Sequence, residues 1–224
     1  MRRSWGCIGS LAALAALAMP VPASAQSGGP DAFGYEFSPA SFDFVALDLV
    51  GGTPLGLGDD EEADVTLPWA FPFYGVDYSE ITVSANGGVR FGAGGEVAYA
   101  NTCLPDNGST TVDIAVFWDD LNPAEGGEVR TWYDSSLDRF IVSWEAVPHY
   151  IDEGAASVQV QFFGDGEIQL HWLDTEFENP DFDFGASATV GIQNRAGASQ
   201  QLGNALEWSC DAPLIFDGSA TSFV

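Results

Sequence analysis

Asp119 and Asp120 follow Trp118 directly, and Asn122 stands two residues further on. Two carboxylates and an amide are hard oxygen donors, and calcium gathers six to eight such oxygens. Asp119, Asp120 and Asn122 are therefore the first candidate calcium ligands, with Glu125 and Glu128 as companions. Neighbouring residues on a strand face opposite ways. The two aspartates can share an ion only if the chain turns between them; otherwise they are a turn-forming pair that caps a strand. The spacing is not that of an EF-hand loop. Asp59-Asp60-Glu61-Glu62 is a second acidic group that reads either as a cation collector or as a solvated loop. Asp181 and Asp183, and the alternating Asp174, Glu176 and Glu178, are weaker versions of the same idea.

Catalytic chemistry finds less to work with. Beyond residue 25 the candidate imidazole bases are His149, after a proline, and His171, on what reads as the wet face of a strand. No Gly-x-Ser-x-Gly elbow is present. Two histidines in different settings do not compose a zinc site. A carboxylate pair for glycoside hydrolysis is the enzymatic alternative, through Glu145 beside Trp144 or Asp119 with Glu167. With 33 acidic residues, chance pairs are expected. The reading is no catalytic residues and no required cofactor, with calcium as the one candidate ion.

These residues sit among short apolar or period-two runs separated by turn residues, which is the pattern of strands. The runs are Val65–Phe73, Glu80–Ser84, Val89–Phe91, Val112–Trp118, Val129–Tyr133, Arg139–Val147, Ser157–Phe163, Glu167–Leu173, Ser187–Gln193 and Leu202–Glu207, with Phe42–Val50 as an earlier first strand. Asn86-Gly87-Gly88 and Gly164-Asp165-Gly166 supply tight turns. Between Val158 and Trp172, apolar positions alternate with Gln and His, so one face should be buried and the other wet. No stretch carries a helical period. The expectation is an all-β antiparallel sandwich of about ten strands, one domain over 41–224 after a flexible lead-in at 26–40. Five tryptophans fall in the predicted strands and Trp208 directly follows the last, and these six are expected mostly in the core.

The first 25 residues have a basic start, an apolar run from Ile8 to Met19 and a small-x-small ending at Ala23-Ser24-Ala25, the layout of a secretory signal peptide cleaved after Ala25. Cys103 and Cys210 then remain as an even pair in an oxidising compartment, which favours a disulfide over two free thiols. The formal net charge is −27, and the only cations after residue 25 are Arg90, Arg130, Arg139 and Arg195. Such a surface repels phosphate backbones, which argues against nucleic acid as a partner. No later run is long and apolar enough to span a bilayer as a helix. Asn107-Gly108-Ser109 matches a glycosylation sequon.

The order of Phe71-Pro72-Phe73-Tyr74-Gly75, the Asn86-Gly87 turn, the strand running into Trp118-Asp119-Asp120, Phe140–Trp144, Gly164–Ile168 and Thr189–Gln193 resembles the nidogen-like extracellular domain. More loosely it resembles the related region of plexin-domain-containing proteins. The resemblance covers about residues 67–193. It implies a secreted, periplasmic or surface-associated binding or adhesion module with an extracellular protein or glycan as partner. It lends no catalytic residues. A secreted carbohydrate-active enzyme and a structural envelope or matrix protein are the alternatives.

Overall fold

The computed structural model describes residues 26–151, 154–195 and 204–224. The signal peptide read at 1–25 and the first residues of the last expected strand, from Leu202, lie outside the described residues.

Among the described residues thirteen strands form two antiparallel sheets. In chain order they are β1 (Phe37–Pro39), β2 (Thr53–Pro54), β3 (Glu62–Phe73), β4 (Val76–Ser84), β5 (Gly88–Phe91), β6 (Ile114–Trp118) and β7 (Glu128–Asp134). There follow β8 (Arg139–Pro148), β9 (Ala155–Phe163), β10 (Ile168–Asp174), β11 (Thr189–Gln193), β12 (Ala205–Cys210) and β13 (Ser219–Phe223). The seven-stranded sheet runs β1-β13-β10-β9-β8-β7-β2 and the six-stranded sheet β12-β11-β6-β5-β4-β3. The expected β-sandwich is thus present. The stretch read as a lead-in contributes β1, and Gly28 bridges to Phe37 there.

The core lies between the sheets. Phe140, Val142 and Trp144 of β8, Val158, Val160 and Phe162 of β9, and Ile168, Leu170 and Trp172 of β10 are buried in it. Trp144 and Trp172 each donate their indole N–H across to the other sheet, to the carbonyls of Ser84 and Val116. Two buried aromatic plates so anchored fix the stacking of the sheets better than apolar burial alone, because the bonds are directional. Trp118 is buried too, while Trp69, Trp132 and Trp208 are half-buried. The disulfide Cys103–Cys210 spans 107 residues and ties the loop before β6 to the end of β12.

Two turns explain the sequence blocks that mark them. At Tyr74-Gly75 the φ angles are 46° and 78°, so both central residues are left-handed, as a two-residue I′ hairpin demands. Tyr74 is held in that unusual state by its hydroxyl, which donates to Asp31 at 2.7 Å. At Gly87, φ is 68° and a Cβ would come within 1.9 Å of the Phe117 carbonyl oxygen. Only glycine lets the β4–β5 turn lie this close to the end of β6.

Two expectations are corrected. Phe42–Val50 is not a strand: residues 41–46 cross the outer face of the seven-stranded sheet and end in a short helix, α1 (Leu47–Val50). The strap's polar groups are met by side chains instead of a neighbouring strand. Asp43 N donates to His171 Nδ1 at 3.2 Å, and Val45 N to Gln159 Oε1 at 3.3 Å. In return the Gln159 and Gln161 amides donate to the carbonyls of Val45 and Asp43 at 2.9 and 2.8 Å. The second correction follows from the first. The face carrying Gln159, Gln161 and His171 is not wet, since all three are fully buried beneath the strap. Arg139 closes the arrangement, bonding Asp43, Gln161 and Asp134.

Candidate cation site at the acidic edge

Where β6 ends, Asn86 of the β4–β5 turn organises the backbone. Its Oδ1 accepts from Leu121 N at 3.0 Å and its Nδ2 donates to Asp60 Oδ1 at 2.9 Å. A buried amide thus joins two loops that are sixty residues apart in sequence, using both ends of one side chain. The chain turns between Asp119 and Asp120, and the two part company. Asp119 is buried: its Oδ2 accepts from Ser187 Oγ at 2.5 Å, and its Oδ1 accepts from Asp120 N at 3.0 Å and lies 3.5 Å from His149 Nε2. Asn122 is buried as well, and its Oδ1 accepts from Ala124 N at 2.9 Å.

Asp120 turns outward and meets the acidic run. Asp59, Asp60 and Asp120 each bring a carboxylate oxygen to within 4.8 Å of the others. Of the three residues read as calcium ligands, the structure places Asp120 in this cluster and gives Asp119 and Asn122 other partners. The newcomers are Asp59 and Asp60, noted in the sequence as a separate acidic loop. Only Asn86, a turn residue with no acidic neighbour, could have signalled that the loops meet.

The electrostatics fit the geometry. Burial raises the Asp120 carboxyl above its ordinary value; His149 opposes this, and Asp60, Asp59 and Asp119 add to it. Asp59 is raised by burial, then by Asp60 and Glu125. Like charges this close disfavour one another's ionised form. A divalent cation reverses that, and three carboxylates supply a fair share of the oxygens calcium requires, water and backbone supplying the rest.

The remaining candidates lie elsewhere. His149 packs against Phe182 with ring centroids 4.1 Å apart, and His171 lies under the strap. Glu128 stands opposite Glu145 in the β7–β8 register. Glu145 accepts from Leu47 N and pairs with Arg130 at 3.3 Å, while Glu128 Oε1 accepts from Gly56 N. These carboxylates fasten loops to the sheet. Glu167 accepts from Gln169 and Ser222 in the β9–β10 region, away from Asp119's partners. Asp174, Glu176 and Glu178 are exposed, as is Asn107 of the sequon. Cys103 and Cys210 lie beside Asp211, but a disulfide offers no thiolate to a metal.

The four arginines among the described residues all make defined contacts: Arg139 and Arg195 pair with aspartates and Arg130 with Glu145, while Arg90 donates to the Glu96 and Ser109 carbonyls. Among the described residues no arginine pairs with the acids at the Asp59–Asp120 edge, where His149 is the basic side chain that acts on Asp120.

The described residues form a two-sheet antiparallel sandwich stapled by a disulfide, and none of their helices is long and apolar enough to cross a membrane. Residues 34–212 match the family model described as NIDO related, and the chain belongs to this nidogen-related family. The match runs beyond both ends of the 67–193 resemblance and takes in the strap and the disulfide. No curated protein and no solved structure matches the chain.

Proposed function

We propose that this protein is a non-catalytic binding or adhesion module, exported by its N-terminal leader, whose acidic edge is ordered by calcium. Membership of an extracellular family supports the binding role. The observation that carries the calcium reading is the convergence of Asp59, Asp60 and Asp120, brought together by Asn86 from separate loops. A bound ion would lock the end of β6 to the loop before β3 and present the neighbouring exposed Tyr150 and Ile151 in one arrangement. The partner is an extracellular protein or glycan.

Thermal unfolding in EDTA, in calcium and in matched sodium chloride tests the calcium part. A specific site stabilises by about 2.7 kcal/mol at a hundredfold excess over its dissociation constant. Asp120→Asn should abolish the saturable gain. A rise that sodium chloride reproduces, or one that Asp120→Asn leaves intact, would refute it. The hydrolase alternative would be promoted over this reading by polysaccharide turnover lost in Glu145→Gln.

A further inference from the structure

Beside β13, far along the sheet from β7, an open groove of about 240 Å³ is floored by Phe42, Trp208 and Phe216 and rimmed by Gln26, Ser219 and Thr221. Phe42 and Phe216 are 39% and 48% exposed, a large apolar area to leave in water unless something covers it. Trp208 packs against the buried Trp172, with ring centroids 5.2 Å apart and the planes tilted by 34°.

The rim's hydrogen-bonding capacity is biased. Thr221 Oγ1 donates to the Ser38 carbonyl at 3.0 Å, and Ser219 Oγ donates to the Phe216 carbonyl. Gln26 Nε2 donates to the Trp208 carbonyl at 2.9 Å. Both hydroxyl protons are therefore committed; Thr221 is itself buried, so the accessible polar groups of the groove are the Ser219 oxygen, an acceptor, and the Gln26 amide. Among the described residues no ionisable side chain lines the groove, in a chain carrying 33 acidic residues.

These features narrow the ligand. An anion is repelled by the protein's overall charge, and a cation finds no carboxylate in the groove. A hydrocarbon chain makes no use of acceptors. A neutral polyhydroxylated ring answers both requirements, with C–H faces that lie on aromatic rings and hydroxyls that donate at the edges. We infer that the groove is a binding site for a neutral saccharide. Its volume, below the roughly 300–1,000 Å³ of enclosed drug-sized sites, suits a single ring engaged from one side. The inference rests on the binding-module reading and names its ligand class and its site.

The test uses an immobilised panel of neutral oligosaccharides of glucose, galactose, mannose, xylose and N-acetylglucosamine. In parallel, envelope or matrix material from the protein's source is presented before and after periodate oxidation of its glycans. Wild type, Phe216→Ala, Phe216→Tyr and Trp208→Ala are compared, with thermal unfolding to check that each variant is folded. The expected result is saturable binding to at least one oligosaccharide, weakened about tenfold or more in Phe216→Ala and largely retained in Phe216→Tyr. Glycan binding that Phe216→Ala leaves unchanged overturns the groove and keeps the module. Binding to matrix that survives periodate, with none to the oligosaccharide panel, overturns the saccharide and again keeps the module. Binding to neither overturns both readings.

Discussion

His171 should make the fold acid-sensitive in a window that one substitution removes. Its ring is fully buried and fixed in one tautomer: Nδ1 accepts from Asp43 N at 3.2 Å, and Nε2 lies 3.1 Å from Gln169 Oε1. A protonated ring could not accept that bond. Burial pulls the pKa down to about 4 from the ordinary 6.5, while Asp43 pulls it up and Arg139 presses it down. Between those values the unfolded chain binds a proton that the native state refuses, so stability is full above 6.5 and falls as pH drops towards 4. The gap corresponds to about 3 kcal/mol. Raised carboxyls such as Glu145, Asp113 and Asp120 act in the opposite sense, since they take up protons earlier when folded. The raw pH profile is therefore a sum, and the difference against a variant isolates the histidine. Asn at 171 places a neutral oxygen acceptor near the Nδ1 position. Urea unfolding of wild type and His171→Asn from pH 7 to pH 4 should give curves that converge on acidification by about 3 kcal/mol. Parallel curves would show that the strap does not depend on a neutral imidazole, and the account of the buried polar face would fail.

Two further outcomes test the frame. Replacing Cys103 and Cys210 together by Ser opens a covalent loop of 107 residues and should lower the unfolding free energy by about 4–5 kcal/mol, read by urea denaturation. Gly87→Ala forces a side chain into a left-handed position against the Phe117 carbonyl, and should destabilise by about 1–3 kcal/mol or more in the same assay.

Most strands were legible because each alternates or ends in turn chemistry that local physics dictates, and β8 to β10 appear close to their expected bounds. The strap was not, because Phe42–Val50 does alternate; its partners are amides and an imidazole more than a hundred residues away for Asp43 and Val45. A signal for it does exist. The outward positions of β9 and β10 carry Gln159, Gln161, Gln169 and His171 and no carboxylate until Asp174. In a chain this acidic, a solvated face would carry Asp and Glu; neutral groups that both donate and accept mark a polar face that is to be covered. The cation site was legible only in part. Asp119 and Asp120 sit side by side in sequence, and nothing local says which turns outward. Asn86 decides it by capping Leu121 N, and that contact is made by the tertiary fold.

The position of β13 governs how the molecule comes into being. Those five residues, Ser219–Phe223, lie between β1 and β10 and pair with both. Until they arrive, β1 has no sheet to join, and β10 presents an unpaired edge of amides and carbonyls. The strap is anchored on that same incomplete surface through His171. A chain emerging amino end first must therefore keep β1 waiting for β13, and the sheet closes only by joining residues such as Ser38 and Thr221 that stand 183 apart in sequence. Non-local pairing of this kind is slow, on the order of milliseconds to seconds in small β proteins. During that delay the carboxylates that crowd the finished surface have a separate value: mutual repulsion keeps one half-built sheet edge from pairing with another.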